Sequence, residues 1–157
     1  KEKLPMPGAA GLFCAGGDAR YGGDSRYVMA AINDALLPHA DGTLPIMEDL
    51  YYGDVDFRDP LVSPVFSEPL LAQFPPTLFI TGTRAAELSN VSYMHSRLVD
   101  LERVSDLHVW EGLGHAFHLD AKLPESQQAY RVMARFFAKH LGTALPASDA
   151  APAAAIR

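Results

Sequence analysis

The sequence has a single cysteine, no cluster of basic residues and no long apolar run, and each scarcity excludes a class of protein. One cysteine, Cys14, allows neither an internal disulfide nor a multi-cysteine zinc site, and it fits a reducing compartment such as the cytoplasm. Thirteen Lys and Arg residues against nineteen Asp and Glu residues give a net charge of −6, which offers nucleic acid no basic surface. The longest apolar stretches fall far short of the roughly 18 residues that span a bilayer. We therefore expect neither a nucleic-acid partner nor a membrane span.

What remains is the composition of one globular domain. The 157 residues are 48% hydrophobic and 20% charged, and a chain of this length can bury an independent core. Residues 143–157 are rich in Ala, Pro and Ser without periodicity, which predicts a disordered tail after a domain over residues 1–142. We expect a cytoplasmic location from the cysteine count. A targeting signal upstream of Lys1 would lie outside this sequence, so the sequence does not test for one.

Three apolar segments predict β-strands. Residues 7–15 are apolar without alternation, which predicts a central parallel strand covered on both faces, and residues 77–81 and 106–110 predict two more strands. Strands that alternate with helices predict an α/β fold with a parallel sheet. Three strands are few for such a sheet, so we expect one lateral edge to be exposed and apolar.

Helical spacing of apolar residues predicts three helices. The first covers residues 27–37, and the second begins at Ser89 or Asn90 as its N-cap and ends near Glu102. The third runs from Pro124 to Gly142. The predicted buried face of the third helix consists of Tyr130, Met133, Phe137 and Leu141. Residues 38–69, broken by prolines and glycines, predict a long irregular excursion.

His115 is the strongest candidate for chemistry. It follows a turn with two glycines at the carboxyl end of the third predicted strand, where catalytic groups gather in open α/β sheets. An imidazole there can act as a general base near neutral pH, although an ordinary loop histidine has the same spacing. A metal site formed with His118, Asp120 and His108 is the less favoured alternative, because the HExxH spacing and a cysteine ligand are both missing. We expect no metal and no cofactor.

We interpret two further residues, Ser25 and Cys14, as structural rather than catalytic. Ser25 lies in a Gly-x-Ser sequence, but Tyr27 replaces the second glycine of a nucleophile elbow and no strand leads into it. We interpret it as a loop or helix-capping residue. Cys14 is interpreted as a small apolar residue in the first strand. The glycine pairs lack the spacing of a phosphate-binding loop, so no nucleotide is expected.

Four segments, in order, resemble the C-terminal portion of the α/β-hydrolase esterases of the hormone-sensitive-lipase-like group. They are Gly-Asp-Ser at 23–25, DPLVSP at 59–64, FPPTLFITGTR at 74–84 and LHVWEGLGHAF at 107–117. The resemblance extends over residues 1–141 and implies the C-terminal part of an α/β-hydrolase sheet, with about three parallel strands and flanking helices. It also implies that the excursion at 38–69 passes around the substrate side.

The resemblance assigns His115 to the histidine of a catalytic triad, which takes a proton from a serine and returns it to the leaving alcohol. The acid of the family's Gly-x-x-Asp motif falls on Ala85, so the acid is absent there. Glu87 is the nearest carboxylate and is a candidate for the same role. The competing interpretation of Glu87 is an exposed residue before a helix N-terminus.

The implied function is a carboxylic ester hydrolase, a carboxylesterase or lipase-like enzyme acting on small esters of modest acyl length. The family's His-Gly-Gly-Gly and Gly-Asp-Ser-Ala-Gly-Gly motifs do not occur in this chain, so the serine and oxyanion donors are expected from residues outside it. Such a chain alone should be a poor esterase. The alternative is a non-catalytic interaction module, in which the exposed sheet edge pairs with a partner and Ala85 marks lost catalysis. The expected partners are the missing N-terminal half, or a second copy of the chain at the sheet edge.

Overall fold

A computed structural model describes residues 5–20, 22–30 and 53–145. Its strands are β1 (Ala10–Phe13), β2 (Thr77–Gly82) and β3 (Ser105–Trp110). Its α-helices are α1 (Asp24–Ala30), α2 (Glu68–Leu71), α3 (Leu88–Asp100) and α4 (Pro124–Leu141). Two 3-10 turns cover Pro64–Phe66 and Phe117–Leu119.

The three strands form a parallel sheet in the order β1-β2-β3, as expected of an α/β fold. All residues of β2 are buried, because this strand is hydrogen-bonded along both edges and covered on both faces. β1 is only partly buried and, within the described part of the chain, pairs with β2 alone. The prediction that the first strand is central was therefore wrong for the described sheet. An apolar run indicates that the faces are covered, but it does not say how many strands lie alongside.

The core has two layers, one on each face of β2. Side chains alternate along a strand, so Phe79 points to one face while Leu78 and Ile80 point to the other. The layer beneath α3 contains the buried residues Val65, Leu71, Phe79, Val91, Met94 and Leu98. The layer beneath α4 contains the buried residues Leu78, Ile80, Phe117, Ala129 and Phe136. Burial on both faces holds the carboxyl end of β2, where the candidate site begins, in a fixed position.

α4 begins and ends where the sequence predicts. Pro124 occupies the first turn, and Gly142 caps the C-terminus in the left-handed conformation with φ 68°. The predicted buried face is only partly right, because Leu141 is 52% exposed whereas Phe136 is buried. The last turn of α4 extends past the apolar layer, so the periodicity continues beyond the part of the helix that packs on the sheet.

The start of α3 differs from the prediction in its cap. The N-cap residue is Glu87, with no hydrogen bond from its side chain to the helix, so Ser89 and Asn90 do not cap it. Their side chains instead bond to distant segments. The Asn90 side chain accepts from the backbone N–H of Asp18 and donates to its carbonyl oxygen, at 3.0 and 2.6 Å. The side chains that could cap the helix locally are therefore used in hydrogen bonds to residues distant in sequence.

Other predicted segments lie partly outside the described residues. α1 begins three residues before the predicted start at 27, and residues 31–37 are not among those described. Within the excursion at 38–69, the described part from 53 onward contains the 3-10 turn and the beginning of α2, so it is less irregular than expected. The predicted tail lies outside the described residues from residue 146 onward. None of the helices in the described ranges has the length and apolar character needed to cross a membrane.

Candidate active site

The candidate site lies at the carboxyl ends of the three parallel strands. Cys14 follows β1, the segment containing Glu87 follows β2, and the turn containing His115 follows β3. Because parallel strands end at the same edge of a sheet, residues far apart in sequence meet there. The atoms of Cys14, Glu87 and His115 that can act as metal ligands all lie within 4.8 Å of one another.

The segments after β2 and β3 are bound together by their backbones. The N–H of Thr83 donates to the carbonyl of Trp110 at 2.9 Å, and the N–H of Arg84 donates to the carbonyl of Leu113 at 3.0 Å. The Thr83 hydroxyl accepts from the N–H of Gly112 at 2.8 Å. Gly82 permits this approach, because a Cβ there would collide with the carbonyl oxygen of Leu113. These bonds fix the distance between the loop of Glu87 and the loop of His115.

His115 contacts Glu87 directly. Nδ1 of the imidazole lies 3.0 Å from Oε2 of the carboxylate. The other carboxylate oxygen, Oε1, accepts a hydrogen bond from the Thr81 hydroxyl at 3.1 Å. Glu87 is only 1% exposed, whereas the side chain of His115 is 26% exposed. A buried carboxylate with both oxygens bonded can hold an imidazole in one orientation while the ring remains open to solvent on another side.

The segment before α3 is also bound to α1. The Ser25 hydroxyl donates to the carbonyl of Ala86 at 2.6 Å and accepts from the N–H of Ser89 at 2.8 Å. The Ser89 hydroxyl accepts in return from the N–H of Ser25 at 2.9 Å. The Ser25 hydroxyl is therefore hydrogen-bonded to the backbone on both sides of Glu87, at Ala86 and at Ser89. Ser25 is a bracing residue near the start of α1, consistent with its interpretation as a loop or capping residue rather than a nucleophile.

Ala85, at the position where the resemblance expects the acid, is fully buried. Its N–H donates to the carbonyl of Gly82, and its own carbonyl accepts from Leu88, so it lies within a tight turn that leads into α3. Glu87 follows two residues later, and its side chain is one methylene longer than that of an aspartate. The contact with His115 shows that this longer side chain reaches the imidazole from the later position. The alternative interpretation of Glu87, an exposed residue before a helix, does not hold, because the residue is buried.

Cys14 is the residue of the site that sequence reasoning missed. It lies just past the end of β1 with φ 55°, in the left-handed region that non-glycine residues rarely adopt. Its sulfur accepts a hydrogen bond from the N–H of Ala116 at 3.0 Å and lies 3.9 Å from Nδ1 of His118. Burial was anticipated, but an apolar packing role does not describe this position. The available signal was its place directly after a strand, at the edge where functional groups gather.

The other described histidines lie outside the contact between His115 and Glu87. His95 shares a hydrogen bond of 2.7 Å with the Ser105 hydroxyl, and His140 packs against the ring of Phe136. Burial lowers the pKa of His95 and of His118 below the usual 6.5, and the charge of His115 lowers that of His118 further. Among the described residues, His115, His118, Asp120 and His108 do not come together as a ligand group.

A parallel sheet with helices on both faces, and an imidazole–carboxylate pair at the carboxyl ends of its strands, is the arrangement of an α/β hydrolase. The comparisons agree: the sequence profile of the α/β-hydrolase fold family matches residues 1–119, and the chain belongs to that family.

Solved structures give the same result. The chain is similar to the crystal structure of an esterase, E25, with 37% identity and a TM-score of 0.77 over 88% of this chain and 42% of that one. It is also similar to the esterase structure EstE5 soaked with ethyl alcohol, with 25% identity and a TM-score of 0.77 over 89% and 46% of the two chains. A hormone-sensitive lipase from a metagenome library, at 24% identity, has the same fold, with a TM-score of 0.76 over 87% and 46%. The chain thus spans less than half the length of these structures. The comparison with curated proteins gave no match.

Proposed function

We propose that this chain carries the histidine and the acid of a Ser-His-acid carboxylic ester hydrolase, with His115 as the base and Glu87 as the acid. The observation that carries this proposal is the 3.0 Å contact between Nδ1 of His115 and Oε2 of the buried Glu87. In this assignment Glu87 accepts a hydrogen bond from Nδ1–H. That bond fixes the tautomer in which Nε2 holds the lone pair.

The chemistry then follows from the tautomer. Nε2 removes the proton from a serine hydroxyl as the oxygen attacks the ester carbonyl, and the imidazolium is stabilised by the carboxylate behind it. The same proton passes to the leaving alcohol, and the acyl-serine is hydrolysed by water activated in the same way. Thr81 contributes indirectly, because its hydrogen bond to Oε1 holds the carboxylate in position.

The serine and the oxyanion donors belong, in this proposal, to a segment outside the 157 residues. Ser25 does not serve as nucleophile, because its hydroxyl is bonded to the backbone of Ala86 and Ser89. That the chain spans 42% and 46% of the two esterase structures supports this division. The proposed substrate class is small carboxylic esters. The non-catalytic alternative rests on an exposed sheet edge and on the loss of the acid at Ala85, and the contact between Glu87 and His115 supports the catalytic proposal over it.

The test is a fusion of residues 1–157 to the part of esterase E25 that lies outside the matched region. Hydrolysis of p-nitrophenyl butyrate is followed by release of the nitrophenolate. We expect His115→Ala to lower kcat by about 10⁴-fold or more, because the base is lost. Glu87→Gln should lower kcat by about 10²- to 10⁴-fold with little change in KM, because the amide can present N–H to Nδ1 and favour the wrong tautomer.

Glu111→Gln is the matched control, since Glu111 is an exposed carboxylate in the loop that leads to His115. It should leave the rate unchanged within about twofold, as expected of a surface substitution. An active fusion in which His115→Ala or Glu87→Gln has no larger effect than Glu111→Gln would refute the assignment. A correctly folded fusion without ester turnover would favour the non-catalytic module.

A further inference from the structure

We propose that Cys14, His115 and Glu87 form a zinc-binding site, and that occupation of this site blocks the proton transfer assigned to His115. The three residues come from the ends of three different strands, and their ligand atoms lie within 4.8 Å of one another. Cys14 and Glu87 are buried. This set differs from the histidine and aspartate ligands that the sequence suggested as a less favoured metal site. It includes the sulfur of Cys14, which is about one hundred residues before His115 in the chain and could not be paired with it from sequence.

The donor atoms select the metal. Cysteine sulfur, imidazole nitrogen and carboxylate oxygen are all zinc ligands, and zinc sites with three protein ligands keep an open fourth position. Magnesium and calcium need more oxygen ligands than one carboxylate supplies. The 3.0 Å between Nδ1 of His115 and Oε2 of Glu87 is close to the edge of a tetrahedral zinc site, about 3.3 Å for metal–ligand bonds near 2.0 Å. To admit the ion, these two atoms separate slightly, and the sulfur, which lies within 4.8 Å of the other ligand atoms, approaches to the edge of about 3.5 Å that a zinc–sulfur bond near 2.3 Å requires.

The backbone of Cys14 and a hydrogen bond to its sulfur both favour ligation. Its left-handed backbone, φ 55°, is the kind of strained conformation that is concentrated at functional sites. The N–H of Ala116 donates to its sulfur at 3.0 Å, and such outer hydrogen bonds orient thiolate ligands and stabilise their charge. The donor is the residue directly after His115, so the hydrogen bond ties the sulfur to the turn that carries the imidazole.

Binding forms three bonds to zinc and releases one proton. The Cys14 thiol loses its proton to solvent as the zinc–sulfur bond forms, and an oxygen of Glu87 binds the ion in place of its hydrogen bond to Nδ1–H. Nδ1 binds the ion as well, so its proton moves to Nε2 and the ring stays neutral. Nε2 then carries a proton and has no lone pair to accept one from serine. Zinc therefore inhibits the hydrolase without contacting the ester.

The direct test uses the 157-residue chain without an affinity tag. Zinc titration by calorimetry should give one ion per chain. Cobalt(II), a spectroscopic substitute, should give a near-ultraviolet thiolate-to-metal charge-transfer band and the visible bands of a tetrahedral site. Cys14→Ser should abolish the band and weaken zinc binding by at least about tenfold, and Glu87→Gln should weaken it similarly. His95→Asn is the matched control, since His95 bonds to Ser105 at the opposite, amino end of β3; it should bind zinc as the wild type does.

The cobalt spectrum of the unaltered chain needs no variant to fold, so it tests ligation by Cys14 directly, and the Glu87→Gln variant tests the rest of the site. A chain that binds cobalt without a thiolate band overturns it, as does an equal loss of zinc affinity in His95→Asn and Cys14→Ser. The inhibition rests on the proposed function and is measured in the E25 fusion. Zinc should lower its rate at least about tenfold, a chelator should restore the rate, and Cys14→Ser should reduce the inhibition. A thiolate band in a fusion without turnover refutes only the proposed function, whereas turnover without the band refutes only the zinc site.

Discussion

The hydrogen bond from Thr81 to Glu87 can be removed with little change in packing. Thr81→Val replaces the hydroxyl with a methyl group of similar size, so it deletes the donor without opening a cavity. Both residues are buried, so water cannot easily replace the lost donor. A hydrogen bond to a charged group contributes about 1.5–3 kcal/mol, and leaving one carboxylate oxygen unsatisfied adds to the loss. We expect the free energy of unfolding to fall by about 2 kcal/mol.

Urea unfolding of the chain, followed by circular dichroism, measures this loss. With a urea dependence of about 2 kcal/mol per M, the midpoint should fall by roughly 1 M. Thr77→Val is the control, because Thr77 is a buried threonine on the same strand whose hydroxyl donates to the neutral carbonyl of Pro75 at 2.8 Å. That bond should contribute only about 0.5–1.5 kcal/mol. Equal losses in the two variants, or no loss in Thr81→Val, would show that the Glu87 carboxylate does not depend on its buried donor.

Three more predictions concern the loops and histidines around the site. Gly82→Ala should lower the free energy of unfolding by about 3 kcal/mol, because the new Cβ meets a backbone carbonyl. Gly114→Ala, where the nearest atom is 3.9 Å from a Cβ, should change it by less than about 1 kcal/mol in the same urea experiment; similar losses would contradict the close-approach argument. Ser25→Ala should lower the free energy of unfolding by about 1–3 kcal/mol, since one buried and one partly buried hydrogen bond are lost, and an unchanged urea midpoint would rule out the bracing role. The pKa values of His95 and His118 are lowered in the folded state, so as the pH falls the unfolded chain binds protons before the folded chain does. The free energy of unfolding should therefore be highest above about pH 6.5 and should decrease as the pH falls toward the lowered pKa values of the folded state. Replacing both histidines with Asn should flatten thermal stability between pH 5 and 7, and an unchanged pH slope would contradict this origin.

Much of the local structure follows from sequence pattern alone. The apolar run before Gly82 predicted β2, and Pro124 and Gly142 marked the ends of α4 closely, because proline and glycine act on the backbone within one turn. His115 stood out by its glycine-rich turn after a strand. The order of the strands and the cap of α3 were not predictable in this way, since both depend on which distant segments lie alongside.

By itself, the sequence determined that this chain forms a parallel α/β sheet with a histidine at the carboxyl-terminal edge, and through its ordered motifs it indicated an α/β hydrolase. Only the tertiary structure decided that Glu87 is buried against His115, and that Cys14 joins them from the end of another strand. The physical reason is the separation in sequence over which each interaction acts. Periodicity and turn chemistry act over a few residues, whereas a site at the ends of parallel strands is assembled by backbone pairing between segments many residues apart, which no local pattern encodes.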